Sequence, residues 1–437
     1  MSAHHFTPLA RVQSMLDVEV ALAEALADVG AIPASSVPPI RAASRAEQYD
    51  LNRLNDDAAS AGNILIPLVQ ELTRRVATID AVAAGHVHWG ATSQDVMDTA
   101  LLLQLRAEVG DIARSLTRAA DAAAVLADRH AATPIAGRTW LQQATPTTFG
   151  AKAAAWLDAI ARSRLRLTTA MEAALELQFG GATGTLSSLG SAGQAAAKGL
   201  AARLHLRVAD IPWHTERGRI VNVACALGMT CGSLGKIGRD IALLAQTEVG
   251  EVREPSSTGR GASSSMPHKR NPVAAAVAAA AAVQSPGLVA TMLSAMPQEH
   301  ERALGGWQAE WETLPALAIL TSRSAGAIAD ALPDLVVDEA RIRANLDVAG
   351  GIARAEGLVM ALVSRLGRAT AMSMVESACQ KAAADGRPLQ EVAAEDPQIR
   401  EHLSAEQIAS ALDPASFAGD TRTFIDRVLQ HWRRERE

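Results

Sequence analysis

One stretch, DTALLLQLRAEVGDIARSLTRAADAAAVLADRHA (98–131), constrains this chain more than any other. Leu102, Leu105, Val109, Ile112, Leu116, Ala119, Ala123 and Leu126 follow one another in steps of three and four. That spacing puts them on one stripe of a single helix, roughly 45 Å long at 1.5 Å rise per residue. A second stripe runs Ile220, Val223, Leu227, Thr230, Leu234, Ile237, Ile241, Leu244, Glu248. It follows the breaker Ile211-Pro212-Trp213, and Thr215 is its expected N-cap. A third helix is expected from near Thr147 through AKAAAWLDAIARSRLRLTTAMEAALEL. Helices this long exceed the usual three turns and predict an elongated bundle. Their alanines let helices approach closely. One narrow stripe leaves the rest of each rod uncovered, so burial against further subunits is expected, and light scattering or crosslinking that found a monomer would refute it. Strand signals are few and short, VAAGHVHW and DLVVDE. Turn-rich punctuation suggests three regions: 1–97 with shorter helices, 98–338 with the long ones, and 339–437.

Composition narrows the function. The 437 residues carry a net charge of −6 and only 3% aromatics. That argues against a nucleic-acid partner, which favours basic patches and stacking platforms. Cys225, Cys231 and Cys379 form no CxxC pair, which suits a reducing compartment without disulfides. The N-terminus lacks the basic-then-apolar pattern of a signal peptide. The run Val273–Val283 reads as too short and too alanine-rich to span a bilayer. A cytoplasmic protein is expected.

Several segments are too polar for a core. In His86–Asp95, HVHWGATSQD, His86 and His88 have no third ligand at metal spacing, and Thr92-Ser93 reads first as a helix cap. The same hydroxyls and free N–H groups would also hold a carboxylate. GRTWLQQATPTTF (137–149) places Arg138, Thr139, Gln142 and Gln143 in what reads as a polar connection between helices. QFGGATGTLSSLG (178–190) lacks the ending of a phosphate loop and reads as a flexible crossover. Trp213-His214 reads as a packed tryptophan beside a surface histidine.

GASSSMPHKRNPV (261–273) is different. A serine hydroxyl becomes a useful base only with positive charge and N–H groups nearby, away from water. Lys269, Arg270 and Asn271 stand close by, and Gly259 and Gly261 would let the segment move. Proton transfer at carbon beside a carboxylate fits this set, under a loop that closes on the substrate. The plainer alternative is a solvated serine-rich loop capping the alanine helix.

Ser263 to Pro272 resembles the signature loop Ser-Ser-x-Met-Pro-x-Lys-x-Asn of the fumarase/aspartase superfamily. His88-Trp89-Gly90-Ala91-Thr92-Ser93-Gln94-Asp95 and Gly137-Arg138-Thr139-x-x-Gln142-x-Ala144-x-Pro146 are similar to its first two characteristic regions, in order. The resemblance covers nearly the whole chain. It implies an all-α, three-domain fold, a homotetramer with a twenty-helix core, and active sites drawn from three chains. It also implies cofactor-free chemistry through an aci-carboxylate, with no metal. Register against Met266 makes Ser263 the proton-transfer residue. Lys269 and Asn271 would bind a substrate carboxylate, and Thr92, Ser93, Thr139 and Gln142 would line the pocket. Arg302 is a candidate extra cation, with an ion pair to Glu299 or Glu301 as its alternative. His88 and His214 are candidate lining residues.

Two departures from the superfamily pattern bear on the reaction. Trp140 stands where fumarase and the argininosuccinate and adenylosuccinate lyases have histidine, and Ala61–Leu68 lacks the His-Asp pair of adenylosuccinate lyase. Tryptophan cannot protonate a leaving nitrogen. Segments such as 137–160, 211–220 and 298–315 resemble the branch that cyclises 3-carboxy-cis,cis-muconate, a small polycarboxylate of aromatic catabolism, where carboxylate is the leaving group in reverse. A C–N lyase acting on nitrosuccinate or adenylosuccinate is the alternative on the same scaffold, and a non-catalytic structural protein the reading from another class.

Overall fold

The computed structural model describes residues 4–255, 261, 265–266 and 269–436. It is mostly helical. After α1 (Pro8–Asp28) come five long helices: α2 (Ser93–Arg129), α3 (Phe149–Ala174), α4 (Gly218–Leu244), α5 (Val273–Ser294) and α6 (Gly306–Ala331). All eight residues of the 98–131 stripe are buried, and so are those of the α4 stripe from Ile220 to Leu244. Glu248 lies beyond the end of α4 and is exposed.

The chain divides into two compact units, each discontinuous in sequence: 1–115, 163–233 and 280–326, and 116–162, 234–279 and 327–437. All five long helices contribute to both. The first unit holds a core built on Leu16, Leu22 and Leu26 of α1 with Leu65, Leu68 and Leu72. In the second, Leu358, Leu362, Leu389, Ile399 and Ile408 form a separate apolar cluster.

Several local expectations need correction. VAAGHVHW forms no strand: Asp80 caps the N–H groups of Val82 and Ala83, and a helical turn leads into successive turns. DLVVDE does contribute a strand, Val336–Val337, antiparallel to Val252–Arg253. α3 stops at Ala174, because Glu176–Leu177 pairs in parallel with Arg207–Val208. Thr215 makes no helix cap among the described residues; its Oγ1 donates to the His300 carbonyl at 2.9 Å, while Glu216 accepts from the Gly218 N–H at the start of α4. The apolar run at 273 continues through Pro286 into 22 helical residues, so its length no longer argues against a membrane span. Only 28% of its most apolar stretch is buried.

The polar connection at 137–149 is a hairpin. β1 (Pro134–Thr139) pairs antiparallel with β2 (Gln142–Thr148), with a bulge between Ala136 and Gly137. Trp140 and Leu141 make the two-residue turn, with φ of 54° and 65°. Positive φ at both central positions suits the strand twist but normally selects Asn or Gly. Here two bulky side chains occupy that backbone, and both are exposed, Trp140 by 97%.

Candidate active site

In the first unit the site residues gather around the start of α2. Thr92 and Ser93 stand at its first turn, and the expected cap is reversed. The Asp95 carboxylate reaches back to accept from the Thr92 N–H at 3.1 Å, and neither hydroxyl makes a hydrogen bond among the described residues. Asp95 is buried and accepts three more: from Gly180 and Gly181 N–H groups, both at 2.9 Å, and from His214 Nε2 at 2.7 Å. His214 is therefore a buried partner of Asp95 and no surface histidine, at 4% exposure. Trp213 is packed as expected, with its indole N–H on the Leu177 carbonyl. The glycines of 178–190 are more than a slack crossover. At Gly180 a Cβ would lie 2.9 Å from the His214 ring, so only glycine brings this N–H to Asp95.

One turn further along α2, Asp98 meets Arg217 and Glu310. Arg217 donates to both Asp98 oxygens, at 2.7 and 3.1 Å, and to Glu310 at 2.5 and 2.9 Å. Burial opposes its charge, but the two carboxylates outweigh burial and raise its pKa. Burial raises that of Glu310 despite Arg217. Trp307 Nε1 and Gln94 Nε2 also donate to Asp98. This buried, hydrogen-bonded cluster lies just past the first turn of α2 and stiffens that end of the helix.

Arg302 belongs to the same unit. Its guanidinium donates to the Gly181 carbonyl at 2.8 Å, to Ala182 at 3.2 Å and to Gln94 Oε1 at 3.3 Å. The ion pair with Glu299 or Glu301 is absent among the described residues; Glu299 accepts instead from the Leu304 N–H. A cation held by carbonyls, with no carboxylate of its own, is suited to an incoming anion. His88 binds Glu19, Nδ1 to Oε1 at 2.6 Å, and His86 binds Ser36 at 2.9 Å. The two histidines thus serve different partners.

In the second unit the hairpin carries the other polar residues, and it separates them by role. Arg138 makes a bidentate pair with the buried Glu251, at 2.9 and 2.7 Å, and Asn345 donates to the same carboxylate. Gln143 donates to the Asn345 carbonyl at 2.9 Å. These contacts anchor the base. Thr139 and Gln142 pair across the turn and stand exposed at the tip with Trp140. Of the signature segment, Lys269 is exposed and Asn271 half-buried; the Asn271 N–H donates to the Gly261 carbonyl at 2.9 Å. Gly261 has φ 70°, and a Cβ there would lie 2.7 Å from the Asn271 carbonyl, so the position needs glycine for close approach. Glu254 accepts from the Ala274 and Ala275 N–H groups and caps α5, a task the plainer reading gave to the serines. Ser263 and Gly259 lie outside the described residues.

Sequence reasoning missed Glu19, Asp98, Arg217, Glu251 and Glu310. Each is a charged residue within helical or strand-flanking sequence, and only its burial marks it out.

The lyase family profile matches residues 3–287, and the adenylosuccinate lyase C-terminal family matches 351–428. The 3-carboxy-cis,cis-muconate cycloisomerase of Pseudomonas aeruginosa is 49% identical over 97% of this chain and 92% of its own length. The chain belongs to the fumarase/aspartase superfamily. Within that superfamily, the crystal structure of the 3-carboxy-cis,cis-muconate lactonizing enzyme from Pseudomonas putida superimposes with a TM-score of 0.94 at 47% identity, covering 99% of this chain and 96% of that one. Nitrosuccinate lyase of Streptomyces davaonensis is 40% identical over 95% of this chain and 89% of its own. The protein is an enzyme homologue of this lyase superfamily.

Proposed function

We propose that this protein is a cofactor-free cycloisomerase that converts 3-carboxy-cis,cis-muconate to 4-carboxymuconolactone, in the protocatechuate branch of aromatic catabolism. The observation that carries this reading is the full-length 49% identity to a cycloisomerase of that name. Trp140 agrees with it and disfavours elimination of an amine: the indole at the hairpin tip is too weak an acid to protonate a leaving amine, whereas a carboxylate, like nitrite, leaves without a strong acid.

In the forward direction one substrate carboxylate attacks the alkene. Negative charge collects on a second carboxylate, held by Lys269, Asn271 and the free hydroxyls of Thr92 and Ser93. Ser263 delivers the proton to the adjacent carbon and removes it in reverse. Arg302, lacking a carboxylate partner, takes a further substrate carboxylate; Thr139 and Gln142 line the pocket from the hairpin tip. His214, engaged by Asp95, is assigned to structure.

We also assign the protein to the cytoplasm, as a homotetramer whose sites are completed by three chains, and retain the division at 97/98 and 338/339. Two features support the assembly: an apolar α5 left mostly uncovered, and a tryptophan 97% exposed on a braced hairpin. Surfaces of this kind mark subunit contacts. Three free cysteines agree with a reducing compartment.

Loss of conjugated-diene absorbance on incubation with 3-carboxy-cis,cis-muconate tests the reaction. Ser263→Ala should lower turnover by about 10²–10⁴-fold; full activity in that variant would overturn the site assignment. The similarity to nitrosuccinate lyase favours one rival, C–N elimination from a succinyl substrate. Nitrite or fumarate release without diene turnover would establish it instead.

A further inference from the structure

Glu19 lies midway along α1, where its neighbours Val12, Met15, Leu16, Leu22 and Leu26 form apolar core. It is 2% exposed. One carboxylate oxygen accepts from His88 Nδ1 at 2.6 Å, and the other, also buried, has no hydrogen-bond partner. The histidine end is equally unusual. His88 has φ 57°, a left-handed backbone that L-residues rarely adopt. Gly90, two residues on, has φ 77°, and a Cβ there would lie 2.6 Å from Leu189. The turn is therefore locked in a shape that delivers the imidazole to Glu19, four residues before Thr92. For stability alone this arrangement is a poor choice, since an apolar pair of equal volume serves at least as well as a buried ion pair. Strained backbone beside a half-satisfied buried carboxylate is the mark of a functional position.

We propose that Glu19 is a positioning residue: by accepting from His88 Nδ1–H it fixes the ring, and in the imidazolium form the opposite nitrogen, Nε2–H, donates to a substrate carboxylate, alongside Thr92 and Ser93. This rests on the polycarboxylate site proposed above. With Nδ1 occupied, Nε2 is the nitrogen left to reach a ligand. The charged groups facing His88 are Glu19 from α1 and Asp95 from α2. Burial works against the imidazolium, but the Glu19 charge and hydrogen bond, with Asp95, outweigh it and raise the His88 pKa above its ordinary value. A charged donor binds a carboxylate more strongly than a neutral one.

The test uses full-length protein and two readouts. Histidine C2–H titration by NMR, with His88→Gln to assign the resonance, should place His88 above the ordinary value of about 6.5. Glu19→Gln, close in volume, should lower that midpoint by about one pH unit or more, and Glu19→Asp should restore part of the shift. In the diene assay Glu19→Gln should raise KM about tenfold at a pH between the wild-type and variant NMR midpoints, with a smaller change in kcat, the pattern of lost substrate binding. The alkaline limb of kcat/KM should move down with the NMR midpoint. An unmoved midpoint overturns the proposal, as does a moved midpoint with an unchanged kinetic profile. Should the wild type leave carboxymuconate unconverted, the reaction assignment fails by itself. Calorimetric binding of propane-1,2,3-tricarboxylate then decides: weaker binding in Glu19→Gln supports the dyad's role, and equal affinity sinks it.

Discussion

The polar residues around Asp95 and those at the 140 hairpin tip are built in opposite ways. Asp95, Asp98, Arg217 and Glu310 are buried within one unit, and each carboxylate is matched by donors. Thr139, Trp140 and Gln142 end a braced hairpin in the other unit and meet solvent. The first group is completed by its own chain. The second is rigid at its base, through Arg138, Glu251 and Asn345, and unfinished at its tip. The homotetramer proposed above, with sites completed by several chains, would call for this division, because the supplied part must be stiff before its partner arrives.

Substitutions can break the comparison. The largest effect is expected at Arg217. Arg217→Met leaves Asp98 and Glu310 facing each other, buried and uncompensated, and should cost about 3–5 kcal/mol in denaturant unfolding. Arg138→Met should cost less, about 1–3 kcal/mol, since Asn345 still donates to Glu251. Thermal unfolding of the two variants under one condition ranks them, and an equal loss would mean the hairpin base is as closed as the core. At the tip the expected pattern inverts. Trp140→Ala should change monomer stability by no more than about 0.5 kcal/mol, yet lower kcat/KM about tenfold or more, roughly 1.4 kcal/mol of transition-state binding. Unchanged kinetics there would detach the hairpin from the site. Glu254→Ala should remove the α5 cap for about 1 kcal/mol, read by the same unfolding assay.

The smallest effect is a dependence on pH. The folded-state His88 pKa lies above the unfolded value, so its stabilising interaction with Glu19 is fully present below about pH 6.5 and fades as pH rises through the raised value. A stability difference between wild type and His88→Gln that grew on raising the pH would contradict this sign.

The long helices were readable because a 3.6-residue period is a local property: Leu102 through Leu126 and Ile220 through Leu244 are buried as their spacing predicts. Lys269 and Asn271 were singled out through a family signature, and their roles belong to the proposed function. The hairpin was not, because Trp140-Leu141 carries none of the Asn or Gly that announces a two-residue turn. His214 was misread as a surface residue because its partner, Asp95, lies 119 positions away. Thr215 looked like a cap, but Glu216 competed for the same helix start.

The sequence by itself determined the helical stripes, the family and the residue types available for proton transfer, all of which depend on near neighbours or on a contiguous motif. Only the tertiary structure decided which charges are spent inside the fold and which stay available. Arg217 and Arg302 are the same residue type on similar segments, yet one is neutralised by Asp98 and Glu310 while the other rests on carbonyls. The physical reason is that a side chain's charge is cancelled by whatever lies within a few ångströms of it, and chain separation does not report that distance.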